Sequence, residues 1–183
     1  MERKLMAREK KIDMVILGLL SHENLTGYDI KKKIDGAISF FWKGSYGNIY
    51  PALKELEGSE LVSRSEAYEG GREKIMYHIT EAGRESLREW LKNGQATNEL
   101  RYETLLKMYF GAGAGRDETL RNIEQFEAET RQSLAVLKMY CANLEKVLDN
   151  EDHVYFYLTA SFGVETYEAY LKWCSKAKKM LKK

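Results

Sequence analysis

The chain has 183 residues, 44% of them hydrophobic, so it can bury a core and form one or two domains. Its net charge is +1 and both halves of the chain are nearly balanced, so overall charge does not indicate a nucleic-acid-binding protein. The longest apolar run, Met14–Leu20, is too short to cross a bilayer, no signal peptide is recognisable, and the two cysteines lack metal-ligand spacing, which predicts a reduced, cytoplasmic protein without membrane association.

Two short helices are predicted at the start of the chain. Residues 9–20 place a charged segment before an apolar one, which is typical of a helix buried along its second half. Thr26 is positioned to cap a second helix through its side-chain oxygen. That helix is predicted to begin at Gly27 and to end between residues 34 and 37. An aromatic connector follows it.

A third helix is predicted up to about residue 57. Ile49, Leu53 and Leu56 form an apolar stripe along it. Pro51, the one proline of the chain, is compatible with a helix only near its start, because it has no N–H to donate. The first turn is therefore predicted near residues 45–48.

A two-stranded hairpin and a fourth helix are predicted next. The apolar residues of segment 75–79 alternate with period two, which is typical of a strand. Gly70-Gly71 supply the backbone freedom that a hairpin turn requires. Thr80 is positioned to cap the helix that follows. The order helix, helix, helix, hairpin, helix predicts a winged helix-turn-helix domain over residues 1–95.

Residues 96–183 are predicted to form a separate helical domain. After a first helix and a glycine-rich segment at 111–115, interpreted as a flexible joint, a long helix is predicted over about residues 117–148 and another up to residue 181. Both carry apolar residues at alternating spacings of three and four, as in coiled coils. They predict an antiparallel hairpin that can bury further surface against a second copy of the chain. The predicted fold class is mainly α with a small β-hairpin, a winged helix-turn-helix followed by a C-terminal helical dimerisation domain.

Three segments resemble the PadR-type transcriptional regulators: GYDI at 27–30, FWKGSYGNIYPALKELE at 41–57 and GREKIMYHITEAGRESL at 71–87. The resemblance covers about residues 10–92, and the second half is similar to the longer, helical version of that family's dimerisation domain. Two positions depart from the family pattern, with Lys43 where a proline is usual and Glu60 where a turn glycine is usual. The resemblance implies a homodimeric DNA-binding repressor, which in some members responds to phenolic or other planar aromatic compounds.

Nine residues are candidates for contact with duplex DNA. In a helix-turn-helix the start of the third helix enters the major groove and the second helix crosses the DNA backbone, while a wing can reach phosphates or the minor groove. The candidates are Ser45, Tyr46, Gly47, Asn48, Tyr50 and Lys54 on the third helix, Lys32 on the second helix, and Arg72 and Lys74 on the wing. The resemblance implies that the Tyr50 hydroxyl contacts a phosphate.

Each of these assignments has a structural alternative. Tyr46 and Tyr50 both lie close to the apolar stripe of the third helix and could pack on the core instead. Charged residues at a hairpin tip are commonly only solvated. Of the three consecutive lysines on the second helix, we count only Lys32, because neighbouring residues cannot all point one way.

Aromatic residues in the connector are candidates for binding an effector. Trp42 and Phe41 could stack on a planar aromatic compound. The alternative is that this cluster belongs to the core at the domain junction. No cofactor and no metal are expected, because the three histidines are far apart and lack ligand spacing.

The long helices supply the candidates for dimerisation. These are Leu134, Leu137, Leu144, Phe156, Tyr167 and Tyr170. The chain contains no nucleophile–base set, P-loop, dinucleotide fingerprint or metal motif, so an enzyme is not predicted. The sequence therefore favours a sequence-specific DNA-binding regulator, a homodimeric repressor released by a small effector. A winged-helix adaptor that contacts proteins and not DNA is the alternative, and the near-neutral charge permits it.

Overall fold

A computed structural model describes residues 2–42, 49–69, 72–92, 96, 98 and 101–182, with side chains described outside residues 2–10 and 68–73. The chain divides into two compact units, Met1–Thr97 and Asn98–Lys183.

The amino-terminal unit is built from four helices and a small sheet. The helices are α1 (Glu2–His22), α2 (Gly27–Asp35), α3 (Ile49–Gly58) and α4 (Glu81–Lys92), and a short 3₁₀ helix spans Ala37–Phe40. α1 begins before the predicted start at residue 9, because polar helix-forming residues extend it without any apolar pattern.

Thr26 caps α2 as predicted. Its hydroxyl accepts a hydrogen bond from the Asp29 N–H at 3.1 Å, and the Asp29 carboxylate accepts one from the Thr26 N–H at 3.3 Å. This reciprocal capping box satisfies two backbone donors that a helix start otherwise leaves unpaired.

The core of this unit joins α1, α2 and α3. Each helix buries one apolar face, at spacings of three and four residues, as expected of amphipathic helices. The buried side chains are Ile16, Leu17, Leu20, Leu25, Ile30, Ile34, Ile49, Ala52, Leu53, Leu56 and Val62.

The sheet has three strands: the two of the predicted hairpin and one that was not predicted. β2 (Val62–Glu69) and β3 (Arg72–Ile79) form the expected antiparallel hairpin, with Glu69 opposite Arg72. A third strand, β1 (Leu25–Thr26), pairs with the other edge of β3. Two residues are too few for a periodic signal, and the cap of α2 places β1 beside β3. The predicted turn, Gly70-Gly71, lies outside the described residues.

α3 ends in a Schellman motif. The Leu61 N–H donates to the Leu56 carbonyl at 2.9 Å and the Glu60 N–H donates to the Glu57 carbonyl at 3.0 Å. Glu60 therefore adopts φ 58°, in the left-handed region that favours glycine. The turn keeps its geometry although glutamate replaces the expected glycine.

The carboxy-terminal unit is an antiparallel helical hairpin with a short helix before it. α5 (Glu103–Tyr109) precedes the hairpin, which consists of α6 (Arg116–Leu144) and α7 (Glu151–Leu181). Short 3₁₀ helices span Gly111–Gly113 and Glu145–Val147. The glycine-rich segment is an ordered turn: Gly111 is buried against Thr119, and Gly115 has φ 87° at the start of α6.

The seam of the hairpin follows the predicted pattern along most of α6. Its buried residues are Thr119, Ile123, Glu127, Thr130, Leu134, Leu137 and Cys141. α7 approaches α6 closely at Gly163, where an added Cβ would lie 2.8 Å from Cδ1 of Leu137. Cys174 is buried on α7, and burial raises the pKa of both cysteine thiols.

Candidate nucleic-acid interface

The described part of α3 separates its core residues from its exposed ones. Ile49, Leu53 and Leu56 are buried, whereas Tyr50 is 63% exposed and Lys54 is also exposed. Tyr50 and Lys54 are four residues apart and so lie on one side of the helix. The alternative in which Tyr50 is a core residue does not fit this exposure.

The Tyr50 ring lies against the start of α2. A Cβ added to Gly27 would be 2.7 Å from Cε1 and 3.3 Å from Cζ of Tyr50. Gly27 is buried, and this contact is possible only because it has no side chain.

The α2 helix presents basic and aromatic groups next to Tyr50. Tyr28 is 68% exposed. Lys31 forms an ion pair with Asp35 at 2.8 Å, which raises the pKa of the Lys31 ammonium, and the Tyr28 and Tyr50 phenols lie near enough to add to that effect. Lys33 pairs with Glu23 at 2.7 Å.

Lys32, in the last turn of α2, and Lys74, on β3, both lie within electrostatic reach of Asp29 in the first turn of α2, because β1 pairs with β3 with Thr26 opposite Met76. Hydrogen bonding from Thr26 is the main reason why the pKa of the Asp29 carboxyl is lowered, and the ammonium groups of Lys74 and Lys32 lower it further. Both lysines are exposed. The structure thus brings a wing lysine to the same region as the α2 lysine, although they are 42 residues apart in sequence.

Thr80 ties the base of the wing to α3 and α4. Its hydroxyl donates to the Glu60 carbonyl at 2.7 Å and accepts from the Gly83 N–H at 3.0 Å, while its own N–H donates to the Leu61 carbonyl at 3.1 Å. An added Cβ at Gly83 would lie 2.1 Å from the Leu61 oxygen. We name these groups the Thr80 junction; they place the wing strands beside the end of α3.

Five of the nine candidates lie partly or wholly outside the described residues. Ser45, Tyr46, Gly47 and Asn48 lie outside entirely, and for Arg72 only the backbone is described, at the first position of β3 opposite Glu69. Their roles stay predictions.

The effector candidates are placed as follows. Trp42 is half-buried, with the Lys11 ammonium 5.0 Å from the centre of its ring, which is a cation–π contact. Phe41 is exposed. One face of Trp42 is therefore already occupied by a cation.

The dimerisation candidates separate into two groups. Leu134 and Leu137 are buried in the seam within one protomer, Leu144 is half-buried and Phe156 is exposed. Tyr167 and Tyr170 belong to an aromatic cluster within the unit, in which Tyr170 also contacts Tyr102 and Phe126. Leu134, Leu137, Tyr167 and Tyr170 thus hold the protomer together.

The surface of α7 includes apolar residues that sequence analysis did not select. Val154, Leu158 and Phe162 follow each other at spacings of four residues and are all exposed, Leu158 by 57% and Phe162 by 70%. In the sequence these three residues form a second apolar stripe, offset from the seam by part of a helical turn, and this stripe could have identified them. At the candidate nucleic-acid interface, Gly27 and Tyr28 were not predicted, although they directly follow the predicted cap residue Thr26.

No three His, Cys, Asp or Glu side chains among the described residues are placed to hold a metal ion. None of their helices combines the length and the apolar character that crossing a bilayer demands.

An amino-terminal unit with a helix-turn-helix and a hairpin wing, continued in the chain by a helical hairpin, defines a two-unit winged-helix protein. Residues 16–89 match the transcriptional regulator PadR-like family, and residues 100–182 match the virulence activator alpha C-terminal family. Along its amino-terminal unit the chain is similar to the PadR-like family of transcriptional regulators, which is not an enzyme family.

One relative covers nearly the whole chain. The negative transcriptional regulator PadR of Bacillus subtilis is 28% identical over 177 residues, which is 92% of this chain and 96% of that protein. The crystal structure of that PadR in complex with operator DNA has a TM-score of 0.78 at 28% identity, covering 92% of this chain and 98% of that one. Its structure in complex with p-coumaric acid has a TM-score of 0.71 at 25% identity, covering 94% and 99%.

Proposed function

We propose that this protein is a homodimeric, cytoplasmic repressor that binds operator DNA through its amino-terminal unit and is released by a small aromatic effector. The observation that carries the proposal is the exposed side of α3, where Tyr50 and Lys54 lie opposite the buried stripe and beside the basic residues of α2. The Bacillus subtilis relative, a negative regulator with a structure on operator DNA, supports it.

The proposed mechanism depends on the distance between two recognition helices. Each protomer places the start of its third helix in the major groove, and the two insertions are about 34 Å apart, one turn of the duplex. Residues 1–95 act as the DNA-binding domain and residues 96–183 as the dimerisation domain. An effector that changes the pairing of the two protomers changes that distance, and affinity falls without any loss of a DNA-contacting residue.

A small aromatic compound is the proposed effector. The p-coumaric acid complex of the relative supports this chemical class. Trp42 and Phe41 remain the proposed stacking residues, and the Lys11 ammonium over Trp42 is a suitable partner for an effector that carries a carboxylate.

The experiment is a fluorescence-anisotropy titration of the full chain with duplex from its own upstream region and with scrambled duplex, at several salt concentrations. Lys54→Gln and Lys74→Gln are compared with wild type. Each lost phosphate contact is expected to reduce the slope of log affinity against log salt by about one.

Lys146→Gln is the matched control. Lys146 is an exposed lysine in the carboxy-terminal unit, so the variant removes the same charge away from the proposed interface. Equal changes of the salt slope in all three variants would mean that net charge alone, and not the position of the lysine, determines duplex affinity. Absence of salt-dependent duplex binding by wild type would favour the protein-contacting adaptor.

A further inference from the structure

The start of α2 and the exposed side of α3 meet at one contact between Gly27 and Tyr50. Tyr50 is 63% exposed, yet two atoms of its ring lie where a side chain at position 27 would begin, Cε1 at 2.7 Å and Cζ at 3.3 Å from an added Cβ. Only the far side of the ring and the hydroxyl remain for a partner.

The reason for glycine at this position is space and not backbone conformation. Gly115 is the one described glycine with a positive φ, so Gly27 has a φ that any residue can adopt. Position 27 is also the first residue of a capped helix, where alanine would be favourable for the helix itself. The cost of a side chain there falls on the Tyr50 ring and on Leu53, whose Cδ1 is 3.5 Å from the added Cβ and needs little movement.

The direction of the Tyr50 hydroxyl follows from this contact. A tyrosine on a helix surface can adopt more than one χ1 rotamer. When the ring rests on the backbone of Gly27, its position is fixed by α2 as well as by α3. The hydroxyl, which is bonded to Cζ, then lies beside the start of α2, where Tyr28 is 68% exposed.

We propose that Gly27 is a positioning residue for DNA binding, which seats the Tyr50 ring so that its hydroxyl meets a backbone phosphate. This inference rests on the proposed function. Gly27 itself touches no DNA; it acts through Tyr50. The two residues therefore form one functional unit.

The test is a double-mutant cycle in operator affinity with Gly27→Ala, Tyr50→Ala and the double variant. A hydrogen bond to a charged phosphate corresponds to about a ten- to hundred-fold change in affinity. Gly27→Ala is expected to lose about as much affinity as Tyr50→Ala, and the double variant is expected to lose no more than Tyr50→Ala alone, since removal of the ring makes room for the new methyl group.

Two further measurements separate positioning from general damage. Gly27→Ala removes no charged side chain, so it should weaken binding with the salt slope unchanged, unlike Lys54→Gln. Gly58→Ala is the matched control on α3, because an added Cβ there meets nothing within 4 Å. It should bind DNA as wild type does.

Several results would overturn the proposal. These are wild-type affinity in Gly27→Ala, additive losses in the double variant, and undiminished affinity in Tyr50→Ala. In the last case salt-dependent operator binding by wild type would leave the proposed function standing, whereas no duplex binding at all would remove both.

A loss of stability in Gly27→Ala does not prevent the test, as long as the variant still folds. The same double-mutant cycle is then measured as changes in melting temperature instead of operator affinity. A loss of stability that disappears in the Tyr50→Ala background supports the contact with the ring, and a loss that persists there overturns it.

Discussion

Single residues at the Thr80 junction determine most of the local structure where α3, the wing and α4 meet. The Thr80 hydroxyl accepts from the Gly83 N–H and donates to the Glu60 carbonyl, so a threonine and a glycine three residues apart are both required by the geometry. Residue type alone predicted the cap. It could not predict the contact with Leu61, which is distant in the chain and depends on how α4 packs.

Replacing Gly83 with alanine is expected to destabilise the amino-terminal unit by about 1–3 kcal/mol, the usual cost of overpacking. The new methyl group would lie 2.1 Å from the Leu61 carbonyl oxygen, so α4 must shift. The free energy of unfolding from urea denaturation measures this.

Gly18→Ala is the control for that substitution. It lies inside α1, where an added Cβ meets nothing within 4 Å, and should raise stability by about 0.5–1 kcal/mol. Similar losses in both variants would contradict the role of the Leu61 contact.

Replacing Glu60 with glycine is expected to stabilise the same unit. Relief of the left-handed conformation at φ 58° gains roughly 1–2 kcal/mol, and the greater freedom of glycine in the unfolded chain takes back roughly 0.5–1 kcal/mol. The urea midpoint should therefore rise with an unchanged denaturant slope.

Ser59→Gly tests whether position 60 is special. Ser59 precedes Glu60 and has no positive φ, so glycine there should only lower stability. A fall in the midpoint for Glu60→Gly would show that the glutamate side chain contributes more than the backbone strain costs.

At the scale of elements, the long helices were the most predictable part of the fold. α6 and α7 have strong stripes, and the predicted seam from Ile123 to Cys141 is buried. β1 was missed because pairing at the edge of β3, and not its own two residues, makes it a strand. Tyr28 was missed because its exposure depends on the direction of α2. The DNA-contacting role of Ser45–Asn48 stays a prediction.

Glu127 is the charged residue in the α6–α7 seam, and its side chain is only 12% exposed. It accepts hydrogen bonds from Lys178 and from Arg131, the latter at 2.7 Å, and these lower the pKa of its carboxyl below the ordinary value of a glutamate. A lowered folded-state pKa adds stability above the unfolded-state pKa, and this stability is lost as the pH falls through the lower, folded-state pKa.

Glu127→Gln should therefore lower stability at pH 7, by about 1–3 kcal/mol, and flatten the loss of stability below about pH 4.5. Trp173 contacts Phe126 in the same seam, with ring centres 6.5 Å apart, so its fluorescence reports hairpin unfolding in a Trp42→Phe/Trp90→Phe background. Glu118→Gln, in an exposed pair with Arg121, should change stability by less than about 1 kcal/mol. If Glu127→Gln lost stability at acid pH in the same way as wild type, the stabilising role of the Glu127 carboxylate would be contradicted.

At the scale of the whole molecule, the proposed dimer needs an apolar surface that a single protomer leaves uncovered. Leu134 and Leu137 cannot supply it, since both are buried within the protomer. The exposed stripe of Val154, Leu158 and Phe162 on α7 can.

Leu158→Lys combined with Phe162→Lys is expected to weaken the proposed dimer, because two charges would have to be buried on association. Sedimentation velocity at micromolar concentration should then show a monomer, and operator affinity should fall because the two recognition helices are no longer linked. Gln132→Lys adds a charge at another exposed position of the hairpin and should leave the dimer intact. A stable dimer in the double variant would place the interface elsewhere.

The Thr80 junction also determines how the amino-terminal unit opens. The amides of Leu61, Thr80 and Gly83 all donate within one small region, which joins the end of α3, the base of the wing and the start of α4. These elements cannot separate one at a time without breaking shared bonds. Hydrogen exchange at the three amides should therefore be slow and occur with a single opening free energy. That result would show that the end of α3, the wing and the start of α4 unfold together and not from the wing inward.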